Sequence, residues 1–499
     1  MGRRKCLQCS AGIIALFLTF GLFFPVVRAE ALGNVTDATS RIVAAYFELA
    51  RRNEAELVAF LHRMPKGADL HNHPSGAYDT EIYLDNAIGR GLLYDRTLRK
   101  FVESTANPHY TPHELKYDFQ KTAEVLNALS MRESVKDAET GHTRFFMSFS
   151  RYGNTGPSAQ EGLEFIVKRA IDQRIGYLEL MTNPVEIEKD MDFGRAREEL
   201  AELHKSVRRL CHKYRTTEGV WGLEVAFSLT LNRGYLPPEL RANFDESAYE
   251  SYFREQVRSS MRAVVELNDL GVRAVTILSP EDSWFSRTFF DLQMRVIDEE
   301  YRDLSAQQRE LVKLNLHAGE LTIGYSPLEV MTDRIRRTIV EGHASRIGHG
   351  TSIAWENDVY GLLALMRDRR IAVEIIPSSS EGILGVSHAR HPFPLYDRFS
   401  VPIVIATDDE GISRSNMTLE YARIAQWYGL KYGQMKWLAF SSLEYSFLPG
   451  DSLFPEGDFN RARPFEEVAD SRKAQKQLEL LHEFTRFESW MESNIERIE

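Results

Sequence analysis

The chain has 499 residues, 43% of them hydrophobic, with 61 Lys and Arg against 72 Asp and Glu and a formal net charge of −11. An acidic balance of that size excludes a nucleic-acid platform as the default reading, because phosphate backbones are bound by surplus positive charge. The 31 Gly and 18 Pro are scattered and apolar residues recur along the whole length, which excludes disorder, collagen-like repeats and low-complexity tails and predicts a large packed core.

At the N-terminus, Arg3, Arg4 and Lys5 precede the apolar run Ala11–Phe24, which breaks at Pro25 and leads to Val27-Arg28-Ala29. This reads as a secretory signal peptide over residues 1–29, with small side chains suited to cleavage after Ala29 or Ala31, and the run is too short for a membrane anchor. The expected product is exported, periplasmic or extracellular, with no stable membrane span once the signal is cleaved. Cys6 and Cys9 would leave with the signal, so Cys211 remains without an internal disulfide partner and reads as a small buried apolar residue. Arg41–His62 carries apolar residues at helical spacing until Met64-Pro65, which predicts a helical extension over residues 30–63.

Eight short apolar runs follow, with helical stretches between them: Ala68–His73, Tyr177–Thr182, Leu223–Leu231, Val272–Leu278, Leu314–His317, Arg346–His349, Ala372–Ile376 and Val401–Thr407. Eight is the number required by an α/β fold of the (β/α)₈ TIM-barrel type, assigned here to residues 64–450. About a hundred residues separate His73 from Tyr177, more than an ordinary βα loop uses. That large insertion after the first strand, Glu81–Ile171, reads as largely helical with a strand-like Arg144–Tyr152, placed as a lid or wall over the barrel mouth. Beyond the last run, Asn416–Tyr428 and Gln434–Phe447 read as helices and Phe454–Arg463 as a loop. A charged helix over Phe465–Ile498 completes a C-terminal helical extension, residues 451–499.

The strongest local signal is Asp69-Leu70-His71-Asn72-His73, because side chains two apart on a strand project to the same face and both imidazoles point at one spot. An H-x-H pair alone is weak. His317 ends the fifth run and Asp408 ends the eighth, however, and three nitrogens with one carboxylate suit a single zinc ion with a position left for water. Glu320 stands three residues after His317, where a carboxyl can turn towards the open side of a metal as a proton donor. His349 ends the sixth run between two glycines, placed to orient or deprotonate a metal-bound water. Asp409 diverges from Asp408 towards substrate. Taken singly, a loop Glu is usually a solvated charge and a strand-end His a core residue; jointly they fall where barrel enzymes place catalytic groups. The fourth run, Thr276-Ile277-Leu278-Ser279-Pro280, has no Lys to bridge a second metal, and no Gly-rich phosphate loop, G-x-S-x-G elbow or H-E-x-x-H is present.

Met64-Pro65-Lys66-Gly67 before His71-Asn72-His73, then His317-Ala318-Gly319-Glu320, Arg346-Ile347-Gly348-His349-Gly350, Thr407-Asp408-Asp409 and Ser442-Leu443-Glu444-Tyr445-Ser446-Phe447 resemble the adenosine/AMP deaminase family of metal-dependent hydrolases. Length, export signal and N-terminal extension resemble its secreted, growth-factor-like branch. The resemblance implies one zinc per chain held by His71, His73, His317 and Asp408, with Glu320 protonating purine N1. It also implies that His349 deprotonates the zinc-bound water, that Asp409 bonds N7, and that hydroxide adds at C6 before ammonia leaves, so that adenosine becomes inosine. Substrate contacts are implied at Ser75, Gly319 and Asp409, with a small nucleoside as partner and a homodimer as in the secreted branch. Three positions depart from the family pattern. His73-Pro74-Ser75-Gly76 replaces H-L-D-G, putting a hydroxyl where a carboxylate contacts ribose. Ser279-Pro280-Glu281-Asp282 replaces a glycine-containing signature, and Pro377-Ser378-Ser379-Ser380 lacks the Asn of P-x-S-N. The altered Ser75 motivates an alternative in which the same barrel and zinc act on another amino-heterocycle or a modified 6-aminopurine. A non-catalytic secreted binding protein is the other alternative, and it predicts a lost ligand or acid, whereas all seven positions are filled.

Overall fold

The strands β1 (Gly67–Asn72), β2 (Ile175–Met181), β3 (Glu224–Asn232), β4 (Val272–Leu278), β5 (Lys313–Ala318), β6 (Arg346–His349), β7 (Ala372–Ile375) and β8 (Ile403–Ile405) pair in parallel and in chain order. They form a (β/α)₈ barrel, and each coincides with one of the eight apolar runs. The runs are continuous rather than alternating because the strands are buried on both faces, by barrel interior and by surrounding helices. The seam between β8 and β1 is closed just beyond β8: Asp408 N–H donates to His71 O at 2.8 Å and His73 N–H donates to Asp408 O at 3.2 Å. The computed structural model describes residues 38–132, 140–214 and 222–495, so the expected signal peptide lies outside the described residues. Among the described residues no helix is long and apolar enough to cross a membrane.

Three expected elements differ. Arg144–Tyr152 is not a strand but most of the helix Gly141–Tyr152. Phe145, Phe149 and Tyr152 recur at helical spacing, and Thr140 accepts the Thr143 N–H at 3.2 Å as an N-cap. The helical run Arg41–His62 is two helices, α1 (Ala38–Ala50) and α2 (Glu54–Arg63), because the Asn53 side chain accepts from Glu56 N–H at 3.1 Å and starts a new helix. The last helix begins at Arg472 rather than Phe465, with Ser471 Oγ accepting the Ala474 N–H at 3.1 Å.

We call Gly141–Tyr152 helix α3. The remaining labels are α4 (Arg334–Val340), α5 (Met417–Tyr428), α6 (Tyr432–Glu444) and α7 (Arg472–Ile495). The terminal helices share the barrel's apolar cluster: Phe60 of α2 meets Phe487 of α7 with ring centres 5.2 Å apart, and Phe440 of α6 meets Phe484 at 5.7 Å. The insertion after β1 builds a second, smaller cluster around Tyr94, Phe101, Leu129, Phe145 and Tyr152. It contains a three-stranded antiparallel sheet, Lys100–Val102, Leu93–Asp95 and His109–Tyr110, that periodicity did not suggest because its strands are only two or three residues long.

Candidate active site

The four expected metal ligands come together at the C-terminal end of the barrel. His71 lies within β1 and His73 one residue past its end with extended backbone, so the pleat turns both rings the same way; their Nε2 atoms are 3.2 Å apart. His317 of β5 brings its Nε2 to 3.3 Å from that of His73. Asp408 Oδ1 is 3.5 Å from His73 Nε2 and 3.7 Å from His71 Nε2. The spacings around His71 and His73 approach the value of about 3.3 Å that ligand bonds of about 2.0–2.1 Å imply for one ion, while His317 and Asp408 belong to separate groups of mutually close donors that share His71 or His73.

The tautomers support the same fit. His71 Nδ1 lies 2.6 Å from Glu374 Oε2, and His317 Nδ1 lies 3.3 Å from the Thr276 hydroxyl. With Nδ1 of His71 donating to Glu374, its Nε2 lone pair faces the cluster, as a metal ligand requires. Burial lowers the pKa of all three imidazoles, which keeps them neutral donors. Burial alone would raise the Asp408 carboxyl, but the imidazoles around it and a hydrogen bond with Asp409 lower it, so it is anionic. Asp408 also carries a left-handed backbone, φ +59°, which turns its side chain from the seam into the cluster.

The expected acid and base lie beside this group. Gly319, at φ +81°, lets the chain leave β5 and bring Glu320 round; a Cβ there would come within 2.8 Å of Ile335 and Ser352. Glu320 is 10% exposed, and burial followed by the charges of Asp408 and Glu281 raises its pKa well above the carboxylate range. Its backbone N–H is held by Glu281 Oε1 at 2.9 Å, and Ser379 Oγ lies 3.5 Å from its Oε1. His349, at φ +67°, places Nε2 4.0 Å from Asp408 Oδ2 and Nδ1 3.9 Å from Glu320 Oε1. Burial lowers its pKa, and its buried Nδ1 has no hydrogen-bond partner. Asp409 is raised by burial and then by Asp408, leaving a protonated carboxyl beside an ionised one. Gly76 makes room for it, since a Cβ there would sit 1.7 Å from Asp409 Oδ1.

These groups open into a cavity of about 380 Å³ whose walls include Ser75, Asn232 and Ser279 and the rings of Phe145, Phe146 and Phe149 from α3. Of the expected substrate contacts, Ser75 and Asp409 line it, whereas Gly319 is represented by its neighbour Glu320. Helix α3 is tied over the mouth by His142, whose ring stacks on Tyr325 at 4.4 Å and whose Nε2 is 3.2 Å from Asp282 Oδ2. The departure at Ser279 acquires a structural form: this residue, in place of a glycine-containing signature, takes φ +100°.

Sequence reasoning missed the supports. Arg346 donates to Glu374 Oε1 at 2.6 Å and to Glu179 Oε2 at 2.5 Å, so β2, β6 and β7 together fix the carboxylate behind His71. Glu281 accepts from Arg334 Nε at 2.9 Å as well as from Glu320 N–H. The available signal was a lone charge inside each apolar strand run: Glu179, Arg346 and Glu374.

Comparison with known proteins adds the following. Residues 252–453 match the family model described as adenosine deaminase, a range containing His317, Glu320, His349, Asp408 and Asp409. An adenosine deaminase of Enterococcus faecalis is 30% identical over 167 residues, covering 32% of this chain and 46% of that protein. An aminodeoxyfutalosine deaminase of Streptomyces coelicolor is 35% identical over 133 residues, 26% of this chain and 32% of that protein. The chain's match thus spans less than half the length of these curated relatives. A zinc-bound amidohydrolase from Burkholderia ambifaria shares the fold with TM-score 0.51 at 15% identity, covering 86% of this chain and 94% of its own. An Arabidopsis N6-mAMP deaminase does so with TM-score 0.50 at 18% identity, covering 78% and 96%.

Proposed function

We propose that the chain, which matches the adenosine deaminase family model over residues 252–453, is a zinc-dependent hydrolytic deaminase converting adenosine, or a related 6-aminopurine nucleoside, into the inosine product and ammonia. The observation that carries this reading is one cavity where overlapping groups of His and Asp donors meet two carboxyls raised towards their protonated form and a neutral imidazole. A zinc ion held by His71, His73, His317 and Asp408 would supply Lewis acidity that brings the pKa of water towards about 7.

The chain's own groups supply the proton traffic. Glu320 donates its carboxyl proton to the ring nitrogen beside the attacked carbon, which removes the charge that addition would place on the ring. His349, whose Nε2 faces Asp408 at 4.0 Å, accepts a proton from the attacking water. A C–O bond forms as the ring C=N double bond opens; the bond to the exocyclic nitrogen then breaks, ammonia leaves with the proton that His349 returns, and the hydroxyl gives its remaining proton back to Glu320 as the carbonyl forms. Asp409, held protonated by burial and by Asp408, donates to an acceptor nitrogen of the five-membered ring and so fixes the base in the plane of attack.

The test is the ultraviolet change when protein lacking residues 1–29 meets adenosine, with zinc content measured alongside. Turnover should fall by about 10²- to 10⁴-fold in Glu320→Gln, which can hydrogen-bond but cannot deliver a proton, while zinc content stays at one per chain. Activity undiminished in that variant would exclude the mechanism. The acid–base set is proposed to work outside the cytoplasm, supported by the basic start, the apolar run and the Val27-Arg28-Ala29 site. N-terminal sequencing of exported material should begin after Ala29 or Ala31.

A further inference from the structure

The geometry points to Glu281 as the positioning residue of the proposed proton donor: with Arg233 and Arg334 it forms a buried frame that sets where the Glu320 carboxyl lies relative to the strand carrying His317. This rests on the deaminase reading and names what the acid of that site depends on.

The backbone that delivers Glu320 is pinned at a single peptide unit. Its carbonyl, Gly319 O, accepts the Ser352 N–H at 2.9 Å from the turn after β6, and its N–H, that of Glu320, donates to Glu281 Oε1 at 2.9 Å. The Glu320 side chain has looser company, with Ser379 Oγ at 3.5 Å and His349 Nδ1 at 3.9 Å. Gly319, at φ +81°, imposes little direction of its own, so the two anchors of the peptide decide where the carboxyl points.

Glu281 is itself held from two sides. Its Oε2 accepts from Arg334 Nε at 2.9 Å and lies 3.6 Å from Arg233 Nη1, while Arg334 Nη2 donates to the Glu281 carbonyl at 3.2 Å. Arg233 Nη2 in turn donates to His317 O at 2.8 Å. One carboxylate thus links the peptide after a proposed metal ligand to the peptide before the acid. Arg233, Glu281 and Arg334 are all 1–2% exposed, and the two guanidiniums hold the Glu281 carboxyl below its ordinary range although burial acts the other way. Well-packed apolar side chains of similar volume would stabilise the same space about as well, so stability does not account for three buried charges. The turn that carries Glu281 inward is strained as well, with Ser279 at φ +100° ahead of Pro280, and strain of this kind is kept where the position of a side chain matters to function.

The experiment is a double-mutant cycle on deamination of adenosine by the zinc-loaded chain, with kcat, KM, zinc content and melting temperature measured for each variant. Glu281→Gln offers one oxygen where two now accept and turns an NH2 group towards a donor. It should lower kcat by about a hundredfold while KM moves by less than about threefold and the zinc content is unchanged. In Glu320→Gln, where no proton remains to be placed, adding Glu281→Gln should change kcat by less than about threefold. Glu281→Asp keeps the charge for both guanidiniums but shortens the reach by one methylene, and should lose about tenfold. It carries the same cycle if Glu281→Gln shows no cooperative melting transition. Equal losses in both backgrounds, a lowered zinc content, or a kcat within about threefold of wild type overturns the inference and leaves the deaminase reading standing. Inertness of the zinc-loaded wild-type chain towards adenosine and every other 6-aminopurine nucleoside tried overturns both.

Discussion

Glu374 shows how much of a metal centre's behaviour is set one residue behind the ligands. Its two oxygens divide between His71 Nδ1 and Arg346 Nε, each at 2.6 Å, so it fixes the tautomer of one ligand while its own charge is balanced by Arg346. Glu374→Gln should weaken zinc binding by about 10- to 100-fold, measured by competition with a chromogenic chelator, although no zinc ligand changes. Gly76 is the complementary case, a position whose value is the absence of an atom. In Gly76→Ala the new Cβ would meet Asp409 Oδ1 at 1.7 Å, forcing that carboxyl away from its place. We expect kcat/KM to fall by about a hundredfold with zinc content unchanged, since small displacements of a positioning group carry costs of that order.

At the scale of single elements, several helices take their starts from distant side chains. Helix α4 begins at Arg334 without a local side-chain cap, and Glu356 Oε1 accepts its Ile335 and Arg336 N–H groups instead, at 2.6 and 3.3 Å. Burial raises Glu356 to about 7 against an ordinary 4.5. The folded protein therefore binds this proton more tightly than the unfolded chain does. The stabilisation is complete below pH 4.5 and is lost as the pH rises through about 7. Urea midpoints taken from pH 5 to pH 8 should fall across that window, and Glu356→Gln, which keeps the acceptor oxygen but cannot titrate, should flatten this part of the decline. Helix α3 carries a different lesson: its aromatic residues serve two places at once, since Phe145 belongs to the insertion's cluster with Tyr152 and also lines the cavity with Phe146 and Phe149.

Across the whole molecule, the metal donors are drawn from β1, β5 and the turn after β8, so one ion would join both sides of the barrel seam. Its removal should accordingly be felt globally. At free zinc a hundredfold above its dissociation constant the folded state gains about 2.7 kcal/mol, so calorimetry with and without a chelator should show a lower melting temperature for the stripped protein. An unchanged melting temperature would mean that the four donors do not bind an ion in the folded barrel. The helices at the two ends of the chain, α1, α2 and α7, close around α6 on the other side, where the Arg63 guanidinium lies 3.9 Å above the Trp490 ring.

The sequence by itself determined the eight strands and their order, because each is a short apolar run buried on both faces and needs no distant partner to be recognised. It also picked out His71, His73, His317, Glu320, His349 and Asp408 as residues that would converge, since each lies within a few residues of a strand's end and the barrel sends all those ends to one face. Only the tertiary structure decided what stands behind them. The Arg346 contacts with Glu179 and Glu374 and the His71 contact with Glu374 join residues 167, 28 and 303 apart, and nothing local states which lone buried charge will meet which. It also decided that Arg144–Tyr152 is a helix whose aromatic face walls the cavity, and that Ser279 takes a left-handed backbone there. Periodicity is a property of neighbours along the chain, whereas charge pairing and cavity shape are properties of neighbours in space.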